Sequence, residues 1–147
     1  MAPGSSPPTL AIEIVADDWR KDYEQGPQKY AQLGADELLI FDPEAARGAT
    51  RLPERTPLQV YVSEADGSFV RGFSGGGPAW SRVLGAWLTV VDGSEAPLLR
   101  LVVEDGRTLL PTEAEAREAE RAAREAAEHR LAALEAELER IRRERVR

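Results

Sequence analysis

Few residues in this chain could do chemistry. It has one histidine, His129, and no cysteine. A nucleophilic triad or a multi-histidine metal site would have to be built around that single imidazole. Thiol catalysis, disulfides and thiolate-bound metal centres are excluded. His129 lies in a run of charged residues, as an exposed helix residue does, and is not expected to be a base or a ligand. Gly75-Gly76-Gly77 suggests a phosphate loop, but Pro78 follows where such a loop needs Gly-Lys-Ser/Thr and a helix start, so a turn is expected. Trp80 and Trp87 could form a stacking platform for bases or sugars, and core packing is the reading preferred. Arginines gather twice, as Arg47, Arg51 and Arg55 and as Arg140, Arg142, Arg143, Arg145 and Arg147, where an anionic partner is conceivable.

The elements that must position these residues follow from composition. The 147 residues allow one domain plus an appendage. Residues 1–8 are mostly Pro, Gly and Ser, and read as a disordered leader. Residues 9–111 hold every aromatic residue and eleven of the twelve glycines, the composition of a globular part. In residues 112–147, 29 positions are Ala, Glu or Arg, with no Gly, Pro or aromatic residue, which reads as a long helix or coiled coil. The formal net charge is -7 and the pI about 4.9, so nucleic acid is not the expected partner. No apolar run is long enough for a membrane span, and the first residues lack the features of a secretory signal, so a cytoplasmic protein is expected.

Within the globular part, Leu10, Ile12 and Ile14 alternate with Thr9, Ala11 and Glu13 as in a short strand. Asp17 and Asp18 stand where a helix could be capped. A helix over 18–33 is expected to break at Gly26-Pro27 and to end at Gly34. Glu37–Asp42 is a nearly continuous apolar run, as in a buried central strand stopped by Pro43. Residues 43–56 read as a polar loop. Strands at about 57–63 and 68–73 are joined by Asp66-Gly67, a hairpin signal. Leu84–Val91 and Leu98–Val103 form a second pair, with a further turn at Asp105-Gly106. The class is α/β or α+β with a mixed sheet.

The tail carries its own signals. Thr112 and Glu115 make a capping box. Ala127, Leu131, Leu134, Leu138 and Ile141 repeat with 4-3-4-3 spacing, a heptad seam that favours self-association, with a dimer as first guess. A single solvated helix held by Glu/Arg pairs is the other reading.

Several stretches together resemble the bacterial Uma-type restriction endonuclease family. They are Leu10-Ala-Ile-Glu-Ile, Lys21-Asp22, Lys29-Tyr-Ala-Gln-Leu-Gly34, Glu37-Leu-Leu-Ile-Phe-Asp-Pro43, Trp80-Ser-Arg-Val-Leu-Gly-Ala-Trp-Leu88 and Gly106-Arg-Thr-Leu-Leu110. The resemblance implies a PD-(D/E)xK nuclease fold, with acidic residues that bind magnesium. It also implies a Pro-Asp opening a strand, a Glu four residues on, and a Lys one turn before a Tyr. Here Thr9 follows Pro8 in place of the Asp, and Gly26 precedes Tyr30 in place of the Lys. Glu13 alone stands where a metal ligand is implied, and the segment that supplies an earlier acidic residue is not found ahead of the strand that starts at Leu10. A hydroxyl is a poor substitute for a carboxylate on a hard cation.

The expectation is therefore a truncated, degenerate member with no catalytic residues and no cofactor. It would be a pseudo-nuclease acting as a protein-interaction scaffold, dimeric through its tail, with a protein partner covering the exposed sheet. The enzymatic alternative is a residual magnesium-dependent endonuclease in which Lys29 replaces the missing Lys and Asp17, Asp18 or Asp22 assists Glu13. A non-cleaving DNA binder using the arginines above is a third reading.

Overall fold

A computed structural model describes residues 6–104 and 106–146. The leader positions 1–5, Asp105 of the expected turn, and Arg147 lie outside the described residues. The chain forms two units, Met1–Leu110 and Pro111–Arg147.

The first unit is α+β. Strands β1 (Leu10–Ile14), β2 (Glu37–Phe41), β3 (Leu58–Ser63) and β4 (Phe69–Gly75) form one sheet in that order. β1 and β2 are parallel, with Glu13 opposite Ile40, and the other neighbours are antiparallel. A second sheet joins β5 (Ala79–Ser81), β6 (Ala86–Val91) and β7 (Leu98–Val102), all antiparallel. Parallel neighbours need a crossover, and a π-helical turn at Lys21–Gln25 running into α1 (Gly26–Gln32) supplies it.

Every residue of β2 is buried, as its apolar run predicts. The pleat sends its side chains to two cores. Leu38 and Ile40 join Ala11 and Val15 beneath Trp19, Tyr23, Tyr30, Tyr61 and Phe69. Leu39 joins Leu58 and Val60 against Ala79 and Leu88 of the second sheet, with Leu10, Phe73, Val90 and Leu99 around them. Layers of helix, sheet and sheet result.

Several expectations change. Gly26-Pro27 does not break the helix. Gly26 keeps ordinary helical angles, and its N–H donates to the carbonyl of Lys21, five residues back. The wide π turn places Pro27 in the first turn of α1, where a missing N–H costs nothing. Asp17 and Asp18 make no side-chain cap; the Asp18 backbone carbonyl instead accepts from Lys21 and Asp22. The 43–56 loop begins with a one-turn helix, α2 (Pro43–Ala46). Strand β5 follows the glycine turn in a segment to which no element was assigned, and β6 starts at Ala86 rather than Leu84. In β1, Leu10 packs against the core between the sheets, but Ile12 and Ile14, on the same face, lie beyond that core and are 50% and 61% exposed.

Gly34, at φ 75°, ends α1 as expected. Gly77 owes its identity to close approach. A Cβ there would lie 2.8 Å from the Thr89 Cα, and its φ is 104°. The glycine run is thus seated against β6 and is not a phosphate cradle. Trp80 and Trp87 are opposite one another on β5 and β6, with ring centroids 5.4 Å apart. Trp80 is 47% exposed, so the pair is not the core packing expected; the rings meet edge to face across the strands.

The second unit is one helix, α3 (Glu113–Val146), with no buried residue. Its 34 residues span about 51 Å at ~1.5 Å each. Among the described residues no helix is long and apolar enough to cross a membrane.

Candidate functional site

Strand β1 and the π-helical turn face one another across a cavity of about 300 Å³ lined by Glu13, Lys21, Asp22, Gln25, Gly26 and Lys29. The sequence accounts for this gathering. Glu13 points to the helix side of β1, and Lys21, Gln25 and Lys29 repeat every four residues along one helical face.

The Tyr30 hydroxyl donates to Glu13 Oε2 at 2.8 Å. That hydrogen bond, aided by burial and the nearby negative charge, raises the Tyr30 phenol above its ordinary range. The Lys29 ammonium lies 4.8 Å from the Tyr30 ring centroid. Asp22 Oδ2 accepts from the Ala16 N–H at 3.1 Å. Gly26 is buried, yet a Cβ placed on it meets nothing within 4 Å. Thr9 is exposed, and its backbone carbonyl accepts from the Asp36 and Glu37 N–H groups.

Glu13, Gly26, Lys29 and Asp22 share the cavity, while exposed Thr9, Asp17 and Asp18 do not line it. A magnesium ion fits this set poorly. Two carboxylates line the cavity, Glu13 accepting from a phenol and Asp22 from a backbone N–H. Among the described residues no group of three His, Cys, Asp or Glu side chains is placed to hold a metal ion. A hard divalent cation draws on several oxygens at once.

Two carboxylates that sequence reasoning missed lie at the ends of β2. Asp42 is fully buried. Its Oδ1 caps α2 through the Glu44 and Ala45 N–H groups, both at 3.0 Å. Arg55 grips it in a fork, Nε to Oδ2 at 2.7 Å and one terminal nitrogen to Oδ1 at 2.9 Å, and also reaches Glu44 at 3.0 Å. The Tyr23 hydroxyl donates to Oδ2 at 2.9 Å. Burial opposes ionisation of Asp42, but Arg55, the cap and Tyr23 outweigh it and hold the carboxyl below its usual range. The same burial, with the bond to Asp42, pushes the Tyr23 phenol up. Asp-Pro before a short polar helix was the available signal: a cap residue followed by Pro at the first helical position.

Glu37, also fully buried, accepts at Oε2 from Ser81 Oγ at 3.0 Å and from the Val83 N–H at 2.8 Å. It ties β2 to the end of β5. Its Oε1 is buried without a hydrogen-bond partner.

Of the head arginines offered as anion contacts, Arg55 is a correction. It is buried, bound to Asp42 and Glu44, and its guanidinium carbon lies 5.4 Å from the Trp19 ring centroid. Arg47 and Arg51 are exposed. Along α3, Arg140 and Arg143 pair with Glu137 and Glu139, and Arg142, Arg145 and His129 are exposed. The seam residues Ala127, Leu131, Leu134, Leu138 and Ile141 are all exposed as well.

A mixed sheet backed by a crossover helix, with a strand glutamate facing that helix, is the arrangement of a restriction endonuclease-like α+β domain. The chain matches the Uma2 family, described as "Putative restriction endonuclease", over residues 2–90, and it belongs to that family. The match runs from ahead of β1 into β6. No curated protein and no solved structure matches it.

Proposed function

We propose that this protein is a non-catalytic, cytoplasmic member of its family. Its nuclease-like domain serves as a protein-interaction module, joined to further copies through α3. The observation that carries this reading is the isolation of Glu13. It is the one carboxylate kept at the family's metal position, and among the described residues no group of three His, Cys, Asp or Glu side chains is placed to hold a cation with it. Thr9 and Gly26 remove the neighbouring carboxylate and ammonium that phosphodiester cleavage needs. The protein partner sits on edge strand β1, whose Ile12 and Ile14 lie open to solvent. The seam of α3 supplies the contact between copies.

Plasmid and oligonucleotide DNA incubated with the protein in magnesium or manganese tests the absence of catalysis. The wild type is expected to leave DNA intact, as is Glu13→Ala. Wild-type cleavage that disappears in Glu13→Ala overturns the proposal.

One observation favours the enzymatic reading. Lys29 lines the same cavity as Glu13 and Asp22, so an ammonium stands near both carboxylates. In that reading Lys29→Ala abolishes cleavage as fully as Glu13→Ala.

A further inference from the structure

Helix α3 leaves particular charges without partners inside the chain, and their positions are orderly. With Leu131, Leu134, Leu138 and Ile141 as the seam, Arg130 and Glu137 flank it on one side and Glu135 and Arg142 on the other. Ion pairs along the helix join Glu113 to Arg117, Glu118 and Glu125 to Arg121, Arg124 to Glu128, Glu137 to Arg140 and Glu139 to Arg143. Among the described residues Arg130, Glu135 and Arg142 have no such partner, nor do Glu120, Glu144 and Arg145 outside the stretch they frame. The sequence explains why. No acid lies three or four residues from Arg130, no base lies so from Glu135, and the one acid so placed for Arg142, Glu139, pairs with Arg143.

We infer that α3 pairs with α3 of a second copy in parallel and in register, over Ala127–Ile141. This deepens the reading that α3 joins copies, and it rests on that reading. In a parallel pair, a flanking residue on one side of the seam meets the residue five positions later on the other side of the partner helix. Arg130 then meets the partner's Glu135, and Glu137 meets the partner's Arg142; by symmetry each contact occurs twice. All four are attractive. An antiparallel pair on the same seam also makes attractive contacts, Arg130 with the partner's Glu144 and Glu128 with the partner's Arg142, but it sets Glu135 against the partner's Glu135 and Glu137 against the partner's Glu137, like-charge contacts that the parallel pair does not have. Charge complementarity thus selects a second copy of this chain as occupant and fixes its direction. Charged residues at the seam positions beyond each end, Arg124 and Arg145, bound the contact. The parallel pair brings both helix N-termini to one end, so the two nuclease-like domains are displayed side by side as a bivalent unit.

The full chain serves for the test. Sedimentation equilibrium across concentration is expected to give a mass rising to two chains. Arg130→Glu and Glu135→Arg are each expected to weaken association by roughly tenfold at low salt, and the double variant to restore it. In the antiparallel pair the double variant has no rescue. Because the chain has no cysteine, Ala127→Cys gives a single reporter. In register and parallel, the two thiols oxidise to a disulfide-linked dimer. Antiparallel, position 127 lies opposite position 145, leaving the thiols about 27 Å apart. A monomer at every concentration overturns both this inference and the dimer reading beneath it. A dimer without rescue, and without a disulfide in the Ala127→Cys variant, overturns the direction alone. A mass above two chains overturns the two-stranded arrangement.

Discussion

At the residue scale the carboxylates Asp42, Glu37 and Glu13 of the head have divided tasks. Asp42 holds the chain reversal after β2 by receiving a guanidinium, a phenol and two backbone N–H groups. Asp42→Ala strands Arg55 in the interior, and urea denaturation should show a loss of about 3–5 kcal/mol. The pH dependence follows from the depressed carboxyl. Between its folded and unfolded ionisation ranges the unfolded chain binds more protons, so stability is full above the ordinary carboxylate range and is lost as pH falls through the folded value. Acid titration of Asp42→Asn should show a flatter decline than the wild type. Glu37 binds the two sheets through Ser81 and Val83. Glu37→Leu should cost about 2–4 kcal/mol by thermal or urea unfolding, and Glu37→Gln, which keeps an acceptor oxygen, less than half of that. These roles were illegible in sequence for one reason: both residues flank the apolar run Leu38–Phe41, where a carboxylate reads as the strand's polar end rather than as its buried anchor. Glu13 was legible only through the family resemblance, which puts a carboxylate at that strand position; its bond to Tyr30 had no sequence signal.

At the element scale, local chemistry was readable wherever a turn or cap dictated it. Asp66-Gly67 set the β3–β4 hairpin, and the capping box at α3 forms reciprocally, with Thr112 N–H to Glu115 Oε2 at 2.7 Å and Glu115 N–H to Thr112 Oγ1 at 3.2 Å. The misses came where packing overrides local preference. Gly26-Pro27 has the signature of a helix break, yet a π turn absorbs it, because the flanking Tyr23 and Tyr30 both pack into the same core. β5 has only three residues and no alternation long enough to read. Gly26→Ala should raise stability by about 0.5–1 kcal/mol, since the backbone is helical and the space is open. Gly77→Ala should lower it by ~2 kcal/mol or more, through contact with β6 and a disfavoured φ. Chemical denaturation of the two variants checks both signs.

At the scale of the whole molecule, two units with different sources of stability share one chain. The head rests on two apolar clusters; α3 rests on helix propensity and surface ion pairs, each contributing about 0.2–0.5 kcal/mol. Scanning calorimetry should resolve a cooperative transition for the head whose midpoint is independent of protein concentration. The helical signal at 222 nm should melt at a temperature that rises with concentration. The bipartite composition announced this division, since Ala, Glu and Arg crowd one end and aromatics the other. The strand order has a kinetic consequence. In both sheets every strand pairs with the strand next to it in sequence, so no closure spans more than one intervening connection. All four strands of the first sheet lie within residues 10–75. That sheet has all its strands as soon as this stretch clears the ribosome, so the head can begin to fold while the remainder of the chain is still being translated.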